Sequence, residues 1–235
     1  MMLSLVIPCY NEALSLPGLI ENCESLISDQ VEIILVDNGS GDGTPEILRA
    51  YANNLTGLRS VRLDINNGYG SGIIAGLEVA KGEVLGWTHA DMQTDPKDVL
   101  AALEIYQKSS NSSDLFVKGK RMGRPIMDQI FTIGMSIFET LLMRTKMWDI
   151  NAQPTLMHRS LYSRWQNPPT DFSLDLYAYY QAKNYGQEIR RIPVYFGPRM
   201  FGDSHWNTSM VSRVRFIRRT LLYSWQLRKL VQANK

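Results

Sequence analysis

A chain of 235 residues, 44% of them hydrophobic and only two of them cysteine, can build one well-packed core or two small ones, and it excludes a disulfide scaffold. The net charge of +2 conceals a split: residues 1–117 carry 6 Lys/Arg against 16 Asp/Glu, and residues 118–235 carry 19 against 7. An acidic half joined to a basic half suits a molecule that holds a cation in one part and meets phosphates or an anionic surface in the other.

The N-terminus Met1–Pro8 has no basic leader, and Pro8 with the polar Asn11-Glu12 cuts its apolar run short. No signal peptide is expected, and Cys9 and Cys23 are expected to be reduced, cytoplasmic and structural. Leu3–Pro8 reads as a strand. Leu14–Ile27 has apolar residues at helical spacing, and Val31–Val36 is a second strand. The turn cluster Asp37–Gly43 follows, and Thr44-Pro45-Glu46 opens a helix with Thr as cap and Pro in the first turn. Ser60–Asp64 reads as a short strand, Ser71–Ala80 as a helix, Glu83–Trp87 as a strand and Asp98–Gln107 as a helix. This alternation predicts an α/β fold, a mostly parallel sheet with helices on both faces.

After residue 119 the pattern changes. A long helix is expected over Ile126–Met147, its apolar residues on a wide arc and Asp128, Gln129, Thr132, Ser136 and Glu139 on the rest. With these polar groups it is expected to lie against something rather than to span a membrane. Near the end, Met210, Val214, Ile217, Leu221 and Trp225 form a stripe flanked by Arg213, Arg215, Arg218, Arg219, Arg228 and Lys229. A basic amphipathic helix can lie in an anionic membrane interface; packing on its own domain or on a sister chain is the alternative. The expected organisation is a nucleotide-binding half, 1–125, and an acceptor-binding half, 126–235, within a single catalytic domain.

In open α/β sheets, groups just past the carboxyl ends of parallel strands converge on one crevice. Three such segments carry chemistry here. Pro8-Cys9-Tyr10-Asn11-Glu12 offers a ring to stack on a base and amide and carboxylate groups for a base or ribose. Asp37 ends the second strand, while Asp42 and Thr44 serve the following helix. Asp91 and Gln93, read as alternating along an extended segment, face one side together with His89. Oxygen ligands of this kind suit Mg²⁺ or Mn²⁺, which use one or two protein groups plus substrate phosphates. Gly68-Tyr69-Gly70-Ser71-Gly72 misses the dinucleotide fingerprint, because Ile73 stands where its third glycine belongs. These glycines are expected to let the loop approach a ligand closely.

Together these residues resemble the family-2 glycosyltransferases of the GT-A fold, nearest the dolichol-phosphate mannose synthase and polyprenyl-phosphate glycosyltransferase branch. The resemblance rests on Val6–Glu12, on Ile34–Thr44, on Asn67-Gly68-Tyr69-Gly70 with Ala80-Lys81-Gly82, on Ala90-Asp91-Met92-Gln93 with Pro96, and on Val117–Arg121. Weaker matches lie at Trp148–Pro154, at Pro198-Arg199 and at Gly202-Asp203-Ser204. It implies that Pro8, Tyr10, Asn11, Glu12 and Gly68 line the nucleoside pocket with Asp37 on base or ribose. It also implies that Asp91, with Gln93 and His89, holds a divalent metal, Mg²⁺ or Mn²⁺. Lys120, Arg121, Arg124 and Arg199 would meet donor or acceptor phosphates, Arg121 and Arg199 acting in catalysis. Asp175 falls where the family keeps an acidic residue near the acceptor: a general base if the acceptor is a hydroxyl, and not needed as one if it is a lipid phosphate.

Three positions depart from the family's pattern. His89 replaces an acid two residues before Asp91, Asn38 replaces the second acid of an Asp-Asp-Gly-Ser run, and Asn151–Thr155 differs in the acceptor segment. The activity so implied is inverting sugar transfer from a nucleoside-diphosphate sugar to a lipid-linked or polysaccharide acceptor, at the cytoplasmic face of the membrane as a peripheral protein. Nucleic acid is not an expected partner; a homo-oligomer is left open. The alternatives are a sugar-nucleotide nucleotidyltransferase, which would want a Gly-rich basic loop that Cys9–Leu16 lacks, and a non-catalytic nucleotide-sugar-binding or assembly subunit.

Overall fold

The computed structural model describes residues 1–197 and 210–233. Their elements run β1 (Leu3–Cys9), α1 (Leu16–Glu24), β2 (Val31–Asn38), α2 (Thr44–Asn54), β3 (Leu58–Leu63), α3 (Tyr69–Val79), β4 (Val84–Trp87) and α4 (Asp98–Lys108). There follow β5 (Leu115–Met122), α5 (Ile126–Met143), β6 (Thr155–His158), the single turn α6 (Arg159–Tyr162), α7 (Leu174–Asn184), β7 (Glu188–Tyr195) and α8 (Met210–Ala233). One seven-stranded sheet has the order β3-β2-β1-β4-β6-β5-β7. Its pairings are parallel except where β6 runs antiparallel between β4 and β5. The mostly parallel α/β sheet expected from the sequence is therefore present, with strands from both halves of the chain interleaved.

The central strands β1, β2 and β4 are buried and largely apolar because both sheet faces are covered there, whereas the edge strands β3 and β7 alternate with charged residues. Alternate residues go to opposite faces. Leu3, Leu5, Ile7, Ile33 and Leu35 join a cluster with Leu16, Leu19 and Ile20 of α1, Leu48 of α2 and Val99 and Leu103 of α4. Val6, Ile34, Val36, Leu85 and Trp87 join the other, with Ile73 and Leu77 of α3, Leu176 and Ala178 of α7, and Leu227 of α8. Cys9 and Cys23 are free and buried. The helix opening at Thr44 differs from expectation by one residue: Gly43 is the cap, Thr44 the first helical position and Pro45 the next.

Periodicity left open which arc of α5 turns inward. Asp128 and Gln129 of the polar arc are exposed and Thr132 is half-buried. Ser136 and Glu139 are buried with Met143, whereas Ile126, Met127, Ile130, Phe131, Ile133, Ile137 and Leu141 are exposed. The reason lies in α8, which packs on α5 through a polar contact: Ser224 Oγ donates to Glu139 Oε1 at 2.6 Å. By length and composition alone α5 is apolar enough to cross a membrane, and its outward face carries that character.

Candidate active site

Because β6 runs opposite to its neighbours, the carboxyl ends of β1, β2, β4, β5 and β7 and the amino end of β6 share one edge. The order reverses beside β1, which lies between β2 and β4 and forms the switch point where such sheets bind ligands. Two loops there are laced together. Asn11 N–H donates to Ser40 Oγ (3.0 Å), Glu12 N–H to Thr44 Oγ1 (2.9 Å) and Ala13 N–H to Asp42 Oδ2 (3.2 Å), while Asn11 Oδ1 accepts from Gly41 N–H (2.9 Å). Asn11 takes the left-handed backbone, φ 54°, to make that exchange. Asp42 and Thr44 thus do more than serve their helix, and the Asn11 amide is spent on loop geometry. Tyr10 stands exposed at the rim, with Pro8 and Glu12 half-buried beside it.

Asp37 is buried at 2% exposure; its Oδ1 accepts from Ser40 N–H (2.9 Å), and Oδ2 lies 3.5 Å from the Arg62 guanidinium. Asn38, the departure from a second acid, has a reason in the fold. Its Nδ2 donates to the Gly68 carbonyl at 2.8 Å, and its Oδ1 accepts from Ser71 Oγ at 3.3 Å; a carboxylate could not make the first bond. The glycines that follow have a different task from the one expected. A Cβ on Gly68 would lie 2.6 Å from the Thr170 carbonyl oxygen, and one on Gly70 would lie 2.6 Å from that of Pro169. The close approach is made by protein backbone, the 169–171 segment, and Ser71 N–H donates to Thr170 O at 2.9 Å.

Beyond β4, the segment holding His89, Asp91 and Gln93 is a bend rather than the extended run expected, because Met92 is left-handed at φ 55°. Asp91 Oδ1 accepts from Gln93 N–H at 3.2 Å. Gln93 is tied to Gly197 in both directions, Nε2 donating to its carbonyl (3.2 Å) and the Gln93 carbonyl accepting its N–H (2.8 Å). Among the described residues no group of three or more His, Cys, Asp or Glu side chains comes together. One carboxylate with an amide and an imidazole nearby is the sparse donor set of a cation completed by substrate phosphates. The residues present fit such a group. His89 packs instead against the Tyr69 ring, centroids 5.5 Å apart, and Tyr69 stacks on Phe172 at 4.8 Å.

The basic candidates separate. Lys120 is exposed on β5. Arg121 is engaged by Asp149: Nε donates to Oδ1 at 2.8 Å, NH2 shares that oxygen, and the backbone N–H donates to Oδ2 at 3.1 Å. Burial would raise the Asp149 carboxyl, but the Arg121 guanidinium holds it below its ordinary value. Arg124 donates to Thr132 Oγ1 at 2.7 Å, and both arginines flank the Phe196 ring. Arg199 lies outside the described residues, as does the Gly202-Asp203-Ser204 match. Asp175, the candidate base, is buried at 2% exposure at the start of α7. Its Oδ1 accepts from Trp87 Nε1 (3.1 Å) and Gln153 Nε2 (2.8 Å) and lies 3.7 Å from Lys118 Nζ. Sequence reasoning missed Lys118, Gln153 and Trp87; the one available signal was a lysine directly after the apolar run Leu115–Val117, on the same strand.

Residues 4–164 match the model of glycosyl transferase family 2. Over 109 residues the chain is 40% identical to the undecaprenyl-phosphate 4-deoxy-4-formamido-L-arabinose transferase of Aeromonas hydrophila and 39% identical to that of Yersinia pestis. The match takes in 44% and 45% of this chain and 33% of each relative, so the chain spans about a third of their length. The fold is similar to glucosyl-3-phosphoglycerate synthase from Mycobacterium tuberculosis, solved with Mn²⁺ and UDP. The TM-score is 0.71 at 18% identity, covering 97% of this chain and 79% of that one. It is also similar to a mannosyltransferase from Pyrobaculum calidifontis, solved with GDP-mannose and Mn²⁺, with a TM-score of 0.63 at 20% identity over 85% of this chain and 58% of that one. With the sheet, its switch point and the matched segments in agreement, the chain belongs to glycosyl transferase family 2 and has the GT-A fold.

Proposed function

We propose that this glycosyltransferase moves a sugar, with inversion, from a nucleoside-diphosphate donor to a lipid phosphate of the polyprenyl type. The observation that carries the donor half is the pairing of Asp37 and Asp91 at the ends of the two strands that flank β1. Tyr10 stacks on the base, Asp37 Oδ2 accepts from base or ribose, and Asp91 anchors the metal with Gln93 Oε1 or His89 in support. That metal, when bound, supplies positive charge to the leaving diphosphate. Lys120 and Arg199 are assigned to phosphates; Arg121 reaches one only by sharing or leaving Asp149. An acceptor oxygen attacks the anomeric carbon from the face opposite the diphosphate, the new C–O bond forming as the old one breaks and its electron pair passes to the phosphate.

The burial of Asp175 favours a phosphate acceptor over a hydroxyl. A base must reach the proton it removes, and Asp175 is 2% exposed with its Oδ1 already taken by Trp87 and Gln153. A phosphate arrives anionic and needs no base. Titration of UDP, GDP, dTDP and CMP, each with and without Mn²⁺, identifies the base; silence from every nucleotide would remove this reading.

A lipid acceptor calls for a membrane surface, and the outward apolar face of α5 with the exposed Leu222 and Trp225 of α8 supplies one. Arg215, Arg218 and Lys229 are exposed on α8, and each basic group near an anionic leaflet contributes about 1 kcal/mol. Arg219 is partly engaged elsewhere, 3.6 Å from Asp171. The protein is expected to co-sediment with anionic vesicles and to dissociate as salt rises. Replacing Arg215, Arg218 and Lys229 by Gln should weaken binding roughly a hundredfold without unfolding. Binding indifferent to salt and to those changes would count against an electrostatic interface.

A further inference from the structure

Lys118 is fully buried on β5, the strand between β6 and the edge strand β7, where it pairs with Thr155 of β6. Its Nζ donates to Thr155 Oγ1 at 2.6 Å, stands 3.7 Å from Asp175 Oδ1 and lies 6.0 Å from the Phe116 ring. The charged groups around it are Asp175 on α7, Arg191 on β7, Asp149 in the segment before β6 and Arg121 on its own strand. Taking an ammonium group out of water costs several kcal/mol, and a buried pair is often no more stable than apolar residues of the same volume. Packing therefore gives no reason for a lysine here, whereas the carboxylate beside it does.

Asp175 in turn organises the wall of the crevice. Burial, and then the nearby Asp175 charge, also keep the Tyr69 hydroxyl protonated. Gln153 Nε2 donates to the Tyr69 hydroxyl oxygen at 3.0 Å as well as to Asp175. Gln153 Oε1, buried, has no protein partner among the described residues. The Tyr69 ring lies between Phe172 and His89, and His89 is two residues from Asp91. Polar contacts thus run from Lys118 through Asp175 and Gln153 to the Tyr69 hydroxyl, and ring packing carries the contact on from Tyr69 to His89.

We propose that Lys118 is a positioning residue of the transferase site: its ammonium group fixes the Asp175 carboxylate, which with the Tyr69 hydroxyl oxygen holds the Gln153 Nε2 group and so turns the amide to leave Oε1 to accept from a sugar hydroxyl. The proposal rests on the glycosyltransferase reading above for its substrate and on geometry alone for its internal linkage. Burial pushes the Lys118 ammonium down to about 8, against the pull of Asp175, so its charge can be removed by mild alkali in the intact protein.

The test uses the full chain and follows the Trp87 indole N–H signal by ¹⁵N NMR, since that group reports on Asp175 directly. In the wild type the signal should move with a midpoint near pH 8. In Lys118→Met it should show no inflection between pH 6 and 9. With UDP-glucose and GDP-mannose as probes in the presence of Mn²⁺, Lys118→Met should lower kcat at least tenfold with KM for the donor within twofold. The high-pH limb of the wild-type rate should also vanish. A Trp87 signal with the same position and pH dependence in Lys118→Met as in the wild type overturns the proposal. So does a folded Lys118→Met protein with full turnover. Failure of the transferase reading is a separate result, in which the wild type turns over neither donor while the Trp87 signal still titrates.

Discussion

Asp91→Ala is expected to abolish metal-dependent nucleotide binding. Among the described residues no group of three or more His, Cys, Asp or Glu side chains comes together to hold a cation without substrate, so the proposed site depends on the Asp91 carboxylate. Mg²⁺ prefers oxygen ligands and would be lost first; Mn²⁺ accepts imidazole more readily. Calorimetric titration should give a nucleoside diphosphate affinity that Mn²⁺ strengthens at least tenfold in the wild type and leaves unchanged in Asp91→Ala. His89→Ala should weaken the Mn²⁺ effect only partly, because that ring also packs on Tyr69. Equal nucleotide affinity with and without metal in the wild type would show that the crevice works without a cation.

The second large effect concerns stability. Glu139 is 1% exposed between α5 and α8, with Oε2 unpartnered among the described residues. Burial pushes its carboxyl up to about 7 from an ordinary 4.5, and the Ser224 bond only partly opposes this. The folded state therefore holds this proton more tightly than the unfolded chain. Its contribution is fully present below about pH 4.5 and is lost as pH rises through 7. Glu139→Gln keeps the Ser224 contact without the charge. It should flatten the stability profile between those limits and raise stability at pH 8 by up to about 3 kcal/mol, read from urea melts at each pH. Parallel profiles for the two proteins would mean that Glu139 ionises in the fold without penalty.

What the sequence could show follows from what each kind of pattern encodes. The β-α alternation, the strand-end acids and the family segments were legible because apolar period and turn chemistry are local. The orientation of α5 was not. Periodicity says which residues share a face but not which face turns inward, and the inward choice depended on Ser224, 85 positions from Glu139. The bend at Asp91–Gln93 escaped notice because a methionine gives no sign of a left-handed backbone, as glycine or asparagine would. The 169–171 segment that packs against Gly68 and Gly70 lies about a hundred residues on, out of reach of a local pattern. For the same reason Arg121 read as free for phosphate: its partner Asp149 arrives from the far side of α5. Asp175 was found, but its burial and its lysine were not.

The most direct test of the account is sugar transfer itself. The purified chain would be incubated with undecaprenyl phosphate in anionic vesicles, Mn²⁺ and a panel of UDP-, GDP- and dTDP-sugars, and the lipid extract read by mass spectrometry. The account predicts a polyprenyl-phosphate sugar formed from one donor class, absent without Mn²⁺ and absent with Asp91→Ala. Nucleotide binding with no sugar on the lipid, while a soluble hydroxyl acceptor becomes glycosylated, would contradict the phosphate acceptor.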